Sequence, residues 1–188
     1  MITIILVCIA AYLIGSLSTG FLIARACGVD DIRAHGSGGS GATNVARVLG
    51  VHYFLLIFFL DFFKAYAFLK VCFWYNISDY SLAAVAVSLL LGNGAPIFLK
   101  FRGGKGVSTT FGILAALMPC VAGGCIGIWV LVIALTRTSG KASLVSLSIM
   151  PLLAWLCGNS LLFILLTLFM TAWGFFLHRT NIVTYLSK

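Results

Sequence analysis

Acidic residues are scarce in this chain of 188 residues, and glutamate is absent altogether. The four acidic residues are all aspartates: Asp30, Asp31, Asp61 and Asp79. Charged residues of both signs make up 9% of the chain, against about 25% in an average soluble domain. The shortage of charge argues against a soluble domain, and the few carboxylates leave the twelve lysines and arginines with little to neutralise them.

Apolar residues dominate the composition. They make up 62% of the chain, and the mean hydropathy is +1.15. The stretch from Met1 to Ala24 carries no charge. As one helix it is long enough to cross a hydrocarbon layer of about 30 Å. No basic segment precedes it and it exceeds the apolar region of a signal peptide, so we expect it to be retained. The chain reads as one integral membrane domain over residues 1–188, with the lipid bilayer as its surroundings.

The apolar runs predict an all-α, polytopic membrane protein with about seven short transmembrane helices. The runs lie at about 2–26, 48–74, 80–99, 107–118, 120–136, 142–157 and 160–177. The stretch from Val107 to Leu135 fits either one long helix or two short ones. Pro119 favours two, because proline is common in the first turn of a helix.

The distribution of basic residues supports a break at Pro119. Ten of the twelve lie in four connections, which contain Arg25, Arg33 and Arg47; Lys100, Arg102 and Lys105; Arg137 and Lys141; and Arg179 and Lys188. The connections at 76–79 and 158–159 contain none. Because basic residues favour the cytoplasmic side, a break at Pro119 puts all four basic connections there, with the N-terminus outside and the C-terminus in the cytoplasm. With no soluble domain predicted, we expect no nucleic-acid partner.

Six cysteines are spread along the chain at positions 8, 27, 72, 120, 125 and 157. None is separated from another by two residues, and most lie in apolar runs, where cysteine behaves as a small hydrophobic residue. Their spacing therefore favours neither a metal site nor a disulfide.

Two glycine-rich segments resemble nucleotide-binding motifs only superficially. "GSGGSG" matches G-x-G-x-x-G letter for letter, but that motif needs a preceding strand and a βαβ unit. "RGGKGVST" fails the Walker pattern, because Leu99 occupies the position of the first glycine and Gly106 follows the lysine. The sequence therefore does not support nucleotide binding at either segment.

Both segments nevertheless suit a bound anion. Gly36–Gly41 precedes the second span and Gly103–Gly106 precedes the fourth, and a glycine-rich turn entering a helix offers backbone N–H groups and partial positive charge. Lys105 and Arg47 add full charges beside them. The alternative is that the glycines only make tight turns and close helix packing. Two such loops on one face favour an anion site.

Two further sets of polar residues belong to this hypothesis. Thr43, Asn44 and Arg47 share a helical face by their spacing. In the tail, "LHRTNIVTYL" places His178 and Asn181 three residues apart, also on one face. An isolated histidine here is equally well explained as a residue at the membrane interface.

Three segments, in order and across nearly the whole chain, carry a family resemblance. "GSGGSGATN" followed by "RVLG", then "GNGAPIFLKFRGGKG", then "HRTNI" resemble the cytoplasmic motifs of the bacterial acyl-phosphate:glycerol-3-phosphate acyltransferases, the PlsY family. "DIRAHGSG" and "DFFKA" resemble the family as well. The resemblance implies a seven-span fold. It also implies transfer of an acyl group from acyl phosphate to glycerol 3-phosphate, giving lysophosphatidic acid and phosphate, the first acylation of phospholipid synthesis.

The resemblance also implies residue roles. The implied catalytic residues are Ser37, Asn44, Lys105, His178 and Asn181. The implied substrate- or phosphate-binding residues are Gly38, Thr43, Arg47, Gly103, Gly104, Gly106, Ser139 and Ser143. No metal and no cofactor are implied, and the enzyme that makes acyl phosphate is an expected partner. Asp61 and Lys64 resemble the family's intramembrane pair, for which we favour a structural role.

Four positions depart from the family pattern. Gly39 stands where asparagine is usual, and Asn93 where histidine is usual. Gly140 replaces one of two serines, with Ser143 as a substitute, and Thr184 replaces a common arginine. These departures predict a change in substrate affinity or activity and leave the fold unaffected.

Two other functions are compatible with the sequence. A transporter or channel for a small anion would place ionisable groups near the middle of the membrane, as Asp61 is placed, and would show internal repeats, which are not evident beyond the glycine loops. A catalytically inactive homologue is the other alternative, supported by Gly39 and Asn93.

Overall fold

A computed structural model describes residues 2–187, and within them the chain forms ten α-helices and no strand. The helices are α1 Ile2–Ser16, α2 Thr19–Ala26, α3 Ala42–Leu49, α4 Val51–Trp74, α5 Asp79–Gly94, α6 Val107–Leu117, α7 Pro119–Thr136, α8 Ser139–Leu156, α9 Leu161–Leu177 and α10 Arg179–Leu186. Single 3-10 turns lie at Ile32–Ala34 and Ile97–Leu99. Lys188, assigned above to the basic tail, lies outside the described residues.

The helices have the length and composition of membrane spans. Four segments are long and apolar enough to cross a bilayer: Ile2–Ala26, Asp79–Leu99, Pro119–Thr136 and Ser139–Leu156. A fifth, Leu161–Leu177, continues into the last helix through a bend of 64°. Helix α4 has 24 residues and carries three charged side chains, and α6 has only 11 residues. The all-helical membrane fold is confirmed, while the count of seven spans stays a prediction.

Large apolar side chains cover the outside of the bundle. Leu6 is 60% exposed, Phe63 53% and Leu131 58%. Surface of this kind is costly in water and neutral in lipid. The outward faces of α1, α4 and α7 are therefore lipid-facing.

The first predicted span, 2–26, is two helices, and an ion pair on α4 stabilises the break between them. Lys64 Nζ lies 2.7 Å from Asp61 Oδ1 and donates to the carbonyl oxygens of Leu17 at 2.8 Å and Gly15 at 3.3 Å. Thr19 Oγ1 donates to the same Asp61 oxygen at 2.8 Å. Lys64 thus occupies carbonyls that the end of α1 leaves unpaired, and Asp61 anchors the start of α2. These contacts support the structural role predicted for the pair.

The break predicted at Pro119 is present. Helix α6 ends at Leu117, Met118 has non-helical backbone angles, and Pro119 is the first residue of α7. The predicted second span also differs in detail, because Gly50, with φ of +112°, separates the short helix α3 from α4. Thr43, Asn44 and Arg47 therefore lie on a helix of their own, outside the span.

Close packing of α1 against α5 fixes the middle of the bundle. Gly15 and Gly92 face each other, and a Cβ added to either would overlap backbone atoms of the opposite helix. The main buried cluster lies among α1, α4, α5, α6, α9 and the hairpin of α7 and α8. This core fixes the spans, so that the starts of α3, α6, α8 and α10 meet at one end of the bundle.

Candidate active site

A cavity of about 90 Å³ lies where those four helices begin. All five residues predicted as catalytic line it: Ser37, Asn44, Lys105, His178 and Asn181. Six of those predicted to bind substrate line it as well: Thr43, Arg47, Gly104, Gly106, Ser139 and Ser143. Gly38 and Gly103 are not part of its lining. The structure therefore brings four distant sequence segments to one place.

The four helix starts share one chemical property. The residues before the first turns are Gly41, Gly106, Thr138 and His178, and none of them caps its helix with a side-chain hydrogen bond. The first N–H groups of a helix have no partner within the helix and carry partial positive charge. Four such ends around one cavity make it suitable for anions.

The two glycine-rich loops contact each other backbone to backbone. A Cβ built on Gly104 would lie 3.6 Å from the nitrogen and Cα of Gly41, and one built on Gly39 would lie 3.9 Å from the oxygen of Gly103. A Cβ at Gly41 or Gly104 would thus be in van der Waals contact with the facing loop. Gly103 has a different role, because a Cβ there would overlap the carbonyl oxygen of Asn93 at the end of α5.

Asn44 holds the first loop in shape. Its side-chain nitrogen donates to the carbonyl oxygens of Gly39 at 2.8 Å, His35 at 2.9 Å and Ile32 at 3.1 Å. Its Oδ1 accepts from the backbone nitrogen of Ser37 at 2.7 Å. The side chain is buried and engaged at both ends. These are the contacts of a positioning residue, and the predicted catalytic role of Asn44 stays a prediction.

Lys105 is the cation nearest the centre of the site. Its Nζ donates to Oδ1 of Asn181 at 2.6 Å, which joins the loop before α6 to helix α10. Burial, and then the charge of Arg47, lowers the pKa of Lys105 to about 8. No carboxylate forms a salt bridge with Lys105 or Arg47 among residues 2–187. The two cations are therefore available to an anionic ligand.

Asp61 is the one carboxylate in the described lining of the cavity. It is paired with Lys64 and accepts a hydrogen bond from Thr19. Its negative charge is thus balanced on the α4 side. The cavity keeps a positive excess from Lys105 and Arg47.

His178 lies at the bend between α9 and α10 and is 1% exposed. Its Nδ1 is 2.9 Å from the carbonyl oxygen of Gly174. A carbonyl only accepts, so Nδ1 carries the proton, and Nε2 of the neutral ring has a free lone pair. The neutral ring can therefore accept a hydrogen bond through Nε2.

The start of α8 forms the remaining wall. The Ser143 hydroxyl donates to the carbonyl oxygen of Ser139 at 2.8 Å and accepts from Trp129 Nε1 at 3.2 Å. Its proton is thus unavailable to a substrate. At Gly140, an added Cβ would overlap the side chains of Asn181 and Tyr185. Glycine at this position therefore leaves room for the ends of the Asn181 and Tyr185 side chains beside the start of α8.

Several lining residues were not predicted. They are Ala42, Phe54, Phe58, Val107, Ser108, Thr109 and Trp129. Asn93, noted only as a departure, also lines the cavity, is 6% exposed, and makes no side-chain hydrogen bond within the described range. Thr109 Oγ1 is buried without a partner there. The Asn93 amide is therefore available to a ligand, whereas the Thr109 hydroxyl has no access to the cavity. Proximity to the glycine loop was the only sequence signal for Thr109.

A wider groove of about 550 Å³ adjoins the cavity and shares Thr43, Arg47, Phe54, Trp129 and Ser139 with it. Its further lining residues are Ala46, Val51, Ile133, Arg137 and Thr138. The groove combines apolar side chains from α4 and α7 with two arginines. It therefore offers an apolar extension to a polar site.

The model of the glycerol-3-phosphate acyltransferase family matches residues 5–188. The chain belongs to this family. Glycerol-3-phosphate acyltransferase from Methylobacillus flagellatus is 38% identical over 174 residues, covering 93% of this chain and 89% of that protein. The Shewanella woodyi protein of the same name is 36% identical over 174 residues, covering 93% and 85%.

Solved structures agree. The crystal structure of PlsY, an integral membrane glycerol 3-phosphate acyltransferase, in its glycerol 3-phosphate form is similar with a TM-score of 0.92 and 34% identity, covering 98% of this chain and 92% of that one. The lysophosphatidic acid form has a TM-score of 0.90 and 33% identity, with the same coverage. The predicted family is confirmed, and this membrane protein is an acyltransferase.

Proposed function

We propose that this acyltransferase moves an acyl group from acyl phosphate to glycerol 3-phosphate and releases lysophosphatidic acid and phosphate. The observation that carries the proposal is the convergence of four uncapped helix starts with Lys105 and Arg47 on one cavity. The names of the two PlsY forms, with glycerol 3-phosphate and with lysophosphatidic acid, support the acceptor and the product.

The charge of the cavity suits two phosphate groups. A phosphate monoester carries roughly −1.5 to −2 near neutral pH, so two such substrates repel each other as they approach. Uncompensated cations and helix N-termini offset that repulsion and hold the reacting groups in line. We assign Lys105 and Arg47 to the phosphates, with the Thr43 hydroxyl and the loop N–H group of Gly106 as further donors; the Gly104 N–H and the Ser37 hydroxyl already donate to Asn93 and Asn44.

The reaction itself is an acyl transfer between oxygens. A hydroxyl oxygen of glycerol 3-phosphate attacks the acyl carbon, an ester bond forms, and the bond from the acyl carbon to the phosphate oxygen breaks. Phosphate and the hydroxyl proton leave. Acyl phosphate is a mixed anhydride and already activated, so positioning and electrostatics supply most of the catalysis. We assign His178 and Asn181 to contacts with the acceptor, because both line the cavity.

The adjoining groove suits the acyl chain. Val51, Phe54 and Ile133 present apolar surface beside Arg47 and Arg137. If arginine holds the phosphate of the acyl donor at the cavity edge, its long acyl chain lies along α4 and α7 and extends towards the lipid. In this scheme the cavity faces the cytoplasm of a bacterial inner membrane, and the enzyme that makes acyl phosphate delivers it there.

The choice of donor tests the proposal. Purified protein in lipid or detergent is given glycerol 3-phosphate with either acyl phosphate or an acyl thioester, and phosphate release and lysophosphatidic acid are both measured. We expect turnover with acyl phosphate alone, unchanged by a chelator. Turnover with the thioester would contradict the donor, and folded protein inactive with both would favour a non-catalytic homologue.

A further inference from the structure

Two cysteines far apart in sequence lie side by side at the end of the α7–α8 hairpin. The Sγ atoms of Cys120 and Cys157 are 2.8 Å apart, and both residues are exposed. Cys120 is the second residue of α7, and Cys157 directly follows the last residue of α8. The antiparallel packing of the two helices brings these ends together, which sequence spacing does not reveal.

The other four cysteines lack this arrangement. Cys72 and Cys125 are buried, and Cys8 is partly buried. Cys27 is exposed, but its Sγ donates to the hydroxyl of Tyr53 at 3.3 Å. Cys120 and Cys157 are therefore the described cysteines that combine exposure with a cysteine neighbour.

We propose that Cys120 and Cys157 close to a disulfide that joins the start of α7 to the end of α8. The pair lies at the opposite end of α8 from the cavity residues Ser139 and Gly140. Eighteen residues of helix separate the two ends, about 27 Å at 1.5 Å per residue. With the cavity facing the cytoplasm, an orientation that belongs to the proposed function, the pair faces the non-cytoplasmic side. That compartment permits disulfides.

The geometry requires only a small adjustment. A disulfide has an S–S bond of about 2.05 Å, so a shift of about 0.8 Å closes the gap. Both residues sit at helix ends, and Gly158, with φ of +71°, follows Cys157 directly. In the reaction two thiols lose two protons and two electrons to a disulfide oxidant, which is reduced to two thiols.

The cross-link would act on the hairpin that forms one wall of the site. Residues 137–138 already connect α7 to α8 at the cavity end. A disulfide at the other end prevents the two helices from separating. It thereby preserves the hydrogen bond of 3.2 Å between Trp129 and Ser143. We therefore expect the disulfide to raise the melting temperature of the folded enzyme.

Counting free thiols tests the pair. Cells expressing the full chain are quenched in acid, and the protein is denatured. One sample is treated with a maleimide directly and the other after reduction, and the mass of the intact protein is measured by mass spectrometry. Of six cysteines, two are in the pair, so wild type should take four labels before reduction and six after. Cys120→Ser and Cys157→Ser should each take five in both samples. The control Cys27→Ser should take three and then five.

Purified protein treated with oxidised glutathione is measured in parallel, and its melting temperature is recorded with and without reductant. Reductant should lower the melting temperature of wild type and leave that of Cys120→Ser unchanged. Six labels in purified wild type after oxidation would overturn the pair. Six labels in cells, with four after glutathione treatment, would overturn its location in an oxidising compartment. Acyl transfer is assayed separately, so inactivity does not affect the thiol count.

Discussion

Lys105 donates a hydrogen bond of 2.6 Å from Nζ to Oδ1 of Asn181. The two residues are 76 positions apart, and their contact closes the cavity between the second glycine loop and the last helix. An amide oxygen orients the ammonium without neutralising it, as a carboxylate would. Lys105 is thus held in place and still charged towards a ligand, which is the arrangement that the proposed phosphate contact requires.

The role of Asn44 predicts a loss of stability together with activity. Asn44→Ala leaves the partly buried carbonyl of Gly39 without its side-chain donor, and the buried carbonyl of Ile32 keeps only the backbone N–H of His35. Buried polar groups that lose a partner cost about 1–3 kcal/mol each, so the melting temperature should fall clearly and turnover should fall with it. Thr43→Ala is the control, because Thr43 lines the same cavity without holding the loop, and it should melt close to wild type. Equal melting of the two variants would contradict a positioning role.

The two glycine departures should respond differently to restoration of the family residue. At Gly140 an added Cβ meets the ends of the Asn181 and Tyr185 side chains, so Gly140→Ser should move Asn181 away from Lys105 and lower turnover. At Gly39 the nearest atom to an added Cβ is 3.9 Å away, so Gly39→Asn should fold normally and lower the KM for glycerol 3-phosphate by adding an amide to the anion site. Gly39→Ala, with a Cβ but no amide, should leave KM unchanged. A stable, active Gly140→Ser would refute the packing explanation.

The lowered pKa of Lys105 predicts a pH limb. At a pH below its pKa of about 8 the lysine is charged and attracts phosphate, whereas at a higher pH the neutral amine does not. Since kcat/KM reports groups of the free enzyme, its value for glycerol 3-phosphate should fall as pH rises through 8, by up to about tenfold per unit. Initial rates from pH 6.5 to 10 measure this. Lys100→Ala should show the same fall in kcat/KM at high pH, and the residual activity of Lys105→Ala should not. A fall in both variants would mean that another group titrates.

The orientation of the cavity is tested by labelling from one side. In a cysteine-free background, Arg102→Cys lies at the cavity end and Tyr75→Cys at the opposite end, and both positions are exposed. An impermeant maleimide added to intact spheroplasts should label Tyr75→Cys and reach Arg102→Cys only after lysis. The reverse pattern would invert the topology.

Local sequence signals predicted much of the fold, and tertiary contacts explain what they missed. Pro119 marks a helix start because proline restricts its own backbone and that of the preceding residue. The break after Ser16 carries no proline, and it is stabilised by Lys64 and Asp61 from another helix. The 25-residue stretch Ile2–Ala26, which is apolar on average, is therefore predicted from sequence as one helix.

The residues of the candidate site likewise divide into those predicted from local sequence and those that only tertiary packing explains. Lys105, His178 and Asn181 were found by their motifs, since loops with functional side chains have recognisable composition. Asn93 and Thr109 belong to the wall because of how α5 and α6 end and begin, which no spacing rule records. The contact of Cys120 with Cys157 likewise arises only when α7 and α8 pack antiparallel.

Replacement of Lys105 tests the central claim most directly. Lysophosphatidic acid formed from acyl phosphate and glycerol 3-phosphate is measured as initial rates for wild type, Lys105→Ala, Lys105→Arg and Lys100→Ala, each checked for melting. Loss of a charged contact worth about 3 kcal/mol predicts a fall in kcat/KM of about a hundredfold for Lys105→Ala. Lys105→Arg should recover little, because a planar guanidinium does not replace a compact ammonium. Lys100→Ala, exposed and outside the cavity, should change kcat/KM less than about threefold. Equal small losses at Lys100 and Lys105 in well-folded protein would contradict the assignment of Lys105 to the phosphate.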